Sequence, residues 1–211
     1  MSSRIVRIGH SLLRVSFFYD AFQALVGSSS NISRLTQGAL NNENSFVLDL
    51  GCGTGRAISH LRKESVYVGV DLSAKYIKES ARKKSESKIQ LINDNITSKA
   101  WLSSISGDQS INALAWGLYH HLSDYDLNMM LENLSKTMKT GSVLNSMDPT
   151  VISDTTRVAE WVAKNDRGKY IREPSTLVEI LGSHGFESQF NISKNAIKIP
   201  VDLILIRATL K

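Results

Sequence analysis

The stretch Val47-Leu-Asp49-Leu-Gly51-Cys52-Gly53-Thr-Gly55-Arg56 constrains the fold more than any other part of the chain. Residues 45–50 are an apolar run with the length of a buried strand, and three glycines at alternate positions follow at once. Such glycines let the backbone turn sharply out of a strand and approach a ligand closely. They also deliver the chain into a helix whose free N–H groups face that ligand. Asp71 closes the next apolar run, Val66-Tyr-Val-Gly-Val70, 20 residues beyond Gly51. A carboxylate at that place can accept hydrogen bonds from both ribose hydroxyls of an adenosine.

The alternation continues. Residues 89–92, 111–115 and 142–145 read as further strands. Helices are expected at 55–63, at 73–84 with Ser73 as N-cap, and at 123–138, where Leu127, Met130, Leu131 and Leu134 share a face. Regular β-α-β order implies a parallel sheet with helices on both faces. After residue 150 the pattern changes. A helix at 153–164 precedes the charged stretch 166–172, and Pro174 opens another helix that stops at Gly182 or Gly185. Two last strands, 186–192 and 200–209, have no helix between them and should pair antiparallel at the sheet edge. The expected fold is an α/β, Rossmann-like, seven-stranded, mostly parallel sheet ending in an antiparallel hairpin. Residues 1–30 are read as an N-terminal helical lid, 31–211 as the main domain and 149–175 as its substrate-side insertion.

A nicotinamide-binding protein carries G-x-G-x-x-G, whose last glycine lets helix and strand pack closely. Counting from Gly51, that place holds the bulky Arg56. Asp49 would repel a pyrophosphate but has a use against a ligand bearing an ammonium group. With these residues the chain resembles the class I S-adenosylmethionine (SAM)-dependent methyltransferases, over residues 45–148. Val47-Leu-Asp-Leu-Gly-Cys-Gly-Thr-Gly55 resembles their first motif and Gly69-Val-Asp71-Leu72-Ser their second. Asn93-Asp94-Asn95-Ile96 resembles the third, and the stretch from Asn112 through Ala115-Trp116 to His120-His121-Leu the fourth, with Asn112 where an aspartate is common. The His-His-Leu ending is most similar to the small-molecule, ubiquinone-type branch. The resemblance implies SAM as cofactor and S-adenosylhomocysteine as product. It implies that Asp49, Gly51, Cys52, Gly53, Gly55, Asp71, Leu72, Asp94, Asn95, Ile96, Ala115 and Trp116 line the cofactor site, with Tyr19 reaching it from the N-terminal helix. It gives no metal.

Methyl transfer from a sulfonium needs positioning and dryness, and some acceptors need a base. His120 and His121 follow the fourth strand, where open α/β sheets bind ligands. Either one is a general base, or one packs under the sheet while the other caps the next helix. Arg167, Tyr170 and Arg172 form either a clamp for an anionic substrate group or a solvated loop. Cys52 suits a backbone-proximal small residue better than a nucleophile.

Net charge is +5, with basic residues dispersed, whereas a nucleic-acid surface needs them massed. A small-molecule acceptor at O or C is therefore expected, lipid-linked or anionic acceptors included. Amino-methylating DNA enzymes carry D/N-P-P-Y/F after the fourth strand, where this chain has Ala115-Trp-Gly-Leu118. Methylation of RNA or protein, and SAM binding without catalysis, are the alternatives. Arg4, Arg7 and Arg14 among Ile5, Ile8, Leu12 and Leu13 also fit an interfacial helix at a membrane surface. The one cysteine and the charge-broken N-terminus point to the cytoplasm.

Overall fold

The computed structural model describes residues 36–40, 46–105, 110–157, 169–194 and 201–211. The expected N-terminal helix with Tyr19, the helix at 153–164 and Arg167 lie largely or wholly outside them.

Strands β1 (Phe46–Leu50), β2 (Val66–Asp71), β3 (Lys88–Asn93), β4 (Ile111–Trp116) and β5 (Val143–Thr150) run parallel to one another. β6 (Phe186–Ser193) and β7 (Asp202–Leu210) are antiparallel, and the seven strands run in the order β3-β2-β1-β4-β5-β7-β6. The sequence-based fold class is the one observed. Helices α1 (Ala74–Ser80), α2 (Asp124–Thr137) and α3 (Pro174–Ser183) accompany the sheet.

Alternation along β1 sorts the core. Phe46, Leu48 and Leu50 face the main cluster, with Leu127, Met130, Leu131 and Leu134 of α2 and Leu177 and Leu181 of α3. Val47 faces the opposite cluster, with Ala39, Leu40, Ile58, Tyr67 and Leu114. Both faces of the sheet are thus covered, as a parallel sheet requires.

Several boundaries differ from the sequence reading. In place of a helix over 55–63 there is a 3₁₀ turn, Arg56–His60, because only Ala57 and Ile58 are buried and Leu61 is already extended. α1 stops at Ser80 because residues 81–86 are exposed and offer no apolar face. β5 continues to Thr150 because Asp148 and Thr150 are buried and their backbones pair with β7. Among the described residues no helix is long and apolar enough to cross a membrane.

Candidate active site

The glycine turn folds back over the end of β2: the Gly51 and Cys52 N–H groups both donate to the Val70 carbonyl, at 2.8 and 3.1 Å. Gly51, Gly53 and Gly55 all have positive φ (67°, 54° and 71°), a conformation that favours glycine. Each lacks a side chain for a different reason. A Cβ on Gly55 would stand 2.2 Å from Ser80 Oγ, so this glycine lets α1 pack on the turn. A Cβ on Gly51 would stand 3.0 Å from Leu118 Cδ1. A Cβ on Gly53 would meet nothing nearer than the Gly51 carbonyl at 4.0 Å, so this glycine opens onto free space.

Asp71 lies beside that opening. Its Oδ2 accepts from the Gly53 N–H and its Oδ1 from the Ser73 N–H, both at 2.8 Å. An ionised carboxylate has about four lone-pair sites, so two remain for a ligand. The Asn93 side-chain amide donates to the Asp71 and Leu72 carbonyls, at 3.0 and 2.9 Å, and holds Leu72 with 73% of its surface in solvent. An exposed leucine there is what a planar base would cover. The open cradle, the spare acceptors and this apolar flank fit an adenosine.

Asp94 and Asn95 line the next loop, where the Asp94 carboxylate accepts from the Asn95 N–H at 2.7 Å. Ile96 departs from expectation. Its side chain is buried in the main core, so only its backbone is left to meet a ligand. Ala115 is also buried in that core. Trp116 is half-buried, and its indole N–H has no hydrogen-bond partner among the described residues. Asn112 lies deep in β4, where its amide donates to the Ala39 carbonyl at 2.6 Å and its carbonyl accepts from Asn145 at 2.9 Å.

Asp49 is 3% exposed and accepts from the Tyr67 hydroxyl at 2.6 Å. Burial above all pushes its carboxyl up to about 7, against the pull of Tyr67, with the Asp71 charge adding a smaller push. Burial also drives the Cys52 thiol up, with Asp49 and Asp71 adding to it. That favours the inert thiol and not a nucleophilic thiolate.

The two histidines separate. His120 is buried, and its Nδ1 and its backbone N–H both meet Asp148 Oδ1, at 2.7 and 3.1 Å. Burial raises the Asp148 carboxyl while His120 pulls it down. His121 is exposed, its ring 3.9 Å from that of His120. The cap of α2 is Ser123, whose Oγ accepts from the Asp126 N–H at 3.1 Å, not His121.

The proposed anion clamp needs correction. Arg172 is 8% exposed. Its Nε donates to Asp124 Oδ1, its Nη1 to the Tyr119 and Tyr170 carbonyls, and its Nη2 to Leu122 O and Asp124 Oδ1, all within 3.0 Å. A guanidinium has five N–H donors, and all five are spent inside the protein. Tyr170 is 41% exposed, with the Arg172 guanidinium 5.8 Å from its ring.

Leu118, Asp124 and Asp148 were not singled out as site residues. A signal for Asp148 existed: the β4–β5 register pairs Trp116 with Met147, which sets residue 148 beside the start of the next turn.

Residues 47–141 match a family model described as a methyltransferase domain. That match spans less than half of the chain; with the fold, it makes this stretch similar to the SAM-dependent methyltransferase domains. Similar folds occur in a SAM-dependent methyltransferase from Methanosarcina mazei (14% identity, 82% of this chain and 96% of that one, TM-score 0.61). Another is magnesium protoporphyrin IX methyltransferase from Synechocystis PCC 6803, with bound S-adenosylhomocysteine (13%, 93% and 95%, 0.65). A third is the plantazolicin methyltransferase in complex with a desmethyl analogue (16%, 94% and 90%, 0.64). No curated protein matches the sequence.

Proposed function

We propose that this protein is a SAM-dependent methyltransferase that acts on a small molecule, at oxygen or carbon. One juxtaposition carries the reading. The open face of Gly53, the carboxylate of Asp71 and the exposed Leu72 meet at the carboxyl ends of β1 and β2, beside the turn after β4. Open α/β sheets bind ligands in that crevice.

Bound SAM supplies an activated methyl group, and the chain supplies position and exclusion of water. In this reading Asp71 accepts from the ribose hydroxyls, and Leu72, Asp94 and Asn95 flank the adenine. The glycine backbone and Asp49 take the amino-acid end. His120 accepts the proton of a hydroxyl acceptor: Asp148 holds its Nδ1–H, which leaves Nε2 as the basic nitrogen. Tyr170, partly exposed beside the turn after β4, stands on the acceptor side; the expected lid at 1–30 lies outside the described residues. Two proteins of similar fold, which cover nearly the whole chain, act on a porphyrin and on plantazolicin, and this favours a small acceptor over a polymer.

The test offers methyl-labelled SAM with hydroxylated metabolites, lipids, RNA and protein in parallel. Label should enter a low-mass product, and label confined to RNA or protein would refute the reading. His120→Gln should then lose roughly 10²–10⁴ in turnover at unchanged SAM affinity.

A further inference from the structure

We propose that Arg172 is a positioning residue that clamps the turn after β4 against the glycine loop, so that SAM binding is felt in residues 169–173. The inference rests on the reading that SAM lies over Gly53.

The geometry is that of a knot between two segments distant in sequence. Three of the acceptor groups, the Tyr119 and Leu122 carbonyls and the Asp124 carboxylate, belong to the turn after β4 and the first residue of α2. The Tyr170 N–H donates back to the His120 carbonyl at 3.1 Å, so the two segments hold each other in both directions. The Arg172 carbonyl accepts from Thr150 Oγ1 at 2.9 Å, which ties the knot to the end of β5. The Arg172 side chain is 6% exposed whereas Asp124 is 76% exposed. A carboxylate so open to water has little need of a buried partner, so the carbonyls are the guanidinium's main business.

On its other side the same turn reaches the cofactor site. Leu118 lies so close to Gly51 that a Cβ there would stand 3.0 Å from Leu118 Cδ1. Close-packed groups transmit displacement. A ligand that settles the glycine loop therefore settles Leu118, the turn and, through Arg172, residues 169–173. Coupling of this kind is reciprocal, so residues 169–173 in turn set the cofactor wall. Lysine cannot replace this arginine, because an ammonium offers three donors from one point instead of a planar fork of five.

Hydrogen exchange of the full-length chain, read by mass spectrometry at residues 169–173 with and without SAM, tests the clamp. In the wild type SAM should slow exchange there by about threefold or more. Arg172→Lys should bind SAM within about threefold of the wild type yet show no SAM-dependent slowing. Asp124→Ala, which removes two of the five bonds and leaves the arginine in place, should show partial slowing, so the test does not depend on Arg172→Lys folding. If Arg172 is only a structural brace, the Lys variant exchanges faster throughout but keeps its response to SAM, which overturns the proposal. SAM binding without slowing in the wild type overturns the coupling alone. No SAM binding in calorimetry on the same sample overturns the site reading and the coupling with it.

Discussion

Asp49→Asn should change how stability depends on pH. The Asp49 carboxyl is pushed from 3.8 to about 7, chiefly by burial. A raised carboxyl means the folded state holds a proton that the unfolded state has released. Stability from this group is therefore intact below about pH 4, falls as pH rises and is fully lost above about pH 7. A shift of roughly three units corresponds to at most about 4 kcal/mol, at about 1.4 kcal/mol per unit. Asparagine has no such proton, and its carbonyl can still accept from Tyr67. The stability difference, wild type minus Asp49→Asn, should therefore fall by about 1–4 kcal/mol between pH 5 and pH 8. Urea unfolding at half-unit pH steps measures it, and subtracting the variant cancels the other carboxylates. A ligand cation near Asp49 would favour the ionised form, so saturating SAM should stabilise the wild type more at pH 8 than at pH 6. A difference that stays flat across this range would refute the assignment of Asp49 as a buried, partly protonated acid.

The other substitutions separate binding from architecture. Asp71→Ala removes two charge-assisted bonds inside the loop as well as the ribose acceptors, each bond worth roughly 1.5–3 kcal/mol, so calorimetric SAM affinity should drop at least tenfold and stability should drop with it. Asp71→Asn keeps one acceptor oxygen and should lose affinity with a smaller change in melting temperature; equal affinity to the wild type would count against Asp71 as the ribose acceptor. Gly53→Ala has open space and should cost only about 1–2 kcal/mol for its left-handed backbone, while SAM affinity collapses. Gly55→Ala collides with Ser80 as well and should lose more stability than Gly53→Ala; the reverse order in urea unfolding would contradict the different roles given to these glycines.

What could be read from the sequence follows from how local each determinant is. The strands β1, β2 and β4 are mostly apolar runs, as strands buried on both faces must be, with Asp49 and Asn112 as buried polar exceptions. The glycine loop and Asp71 stand out because their spacing is imposed by one turn and one neighbouring strand. β5 runs past the expected end at Asn145 because Ser146, Asp148 and Thr150 are polar letters whose burial only tertiary partners such as Arg172 and His120 make tolerable. The sequence offers Arg172 only a substrate clamp or a solvated loop for the same reason. A basic residue in a charged stretch looks solvated until the carbonyls it serves, some 50 residues earlier, are brought beside it. The side chain of Ile96 turns into the core because a motif specifies a backbone path, and the direction of a side chain depends on what packs beneath it.

The central claim is that SAM lies in the crevice over Gly53 between the ends of β1, β2 and β4. Isothermal titration of the full chain with SAM and, separately, with NAD tests it most directly, using Gly53→Val as the control. The structure predicts saturable SAM binding at one site per chain, no binding of NAD, and loss of SAM binding in a variant that remains folded by circular dichroism. Binding of NAD in place of SAM, or undiminished SAM affinity in Gly53→Val, would contradict it.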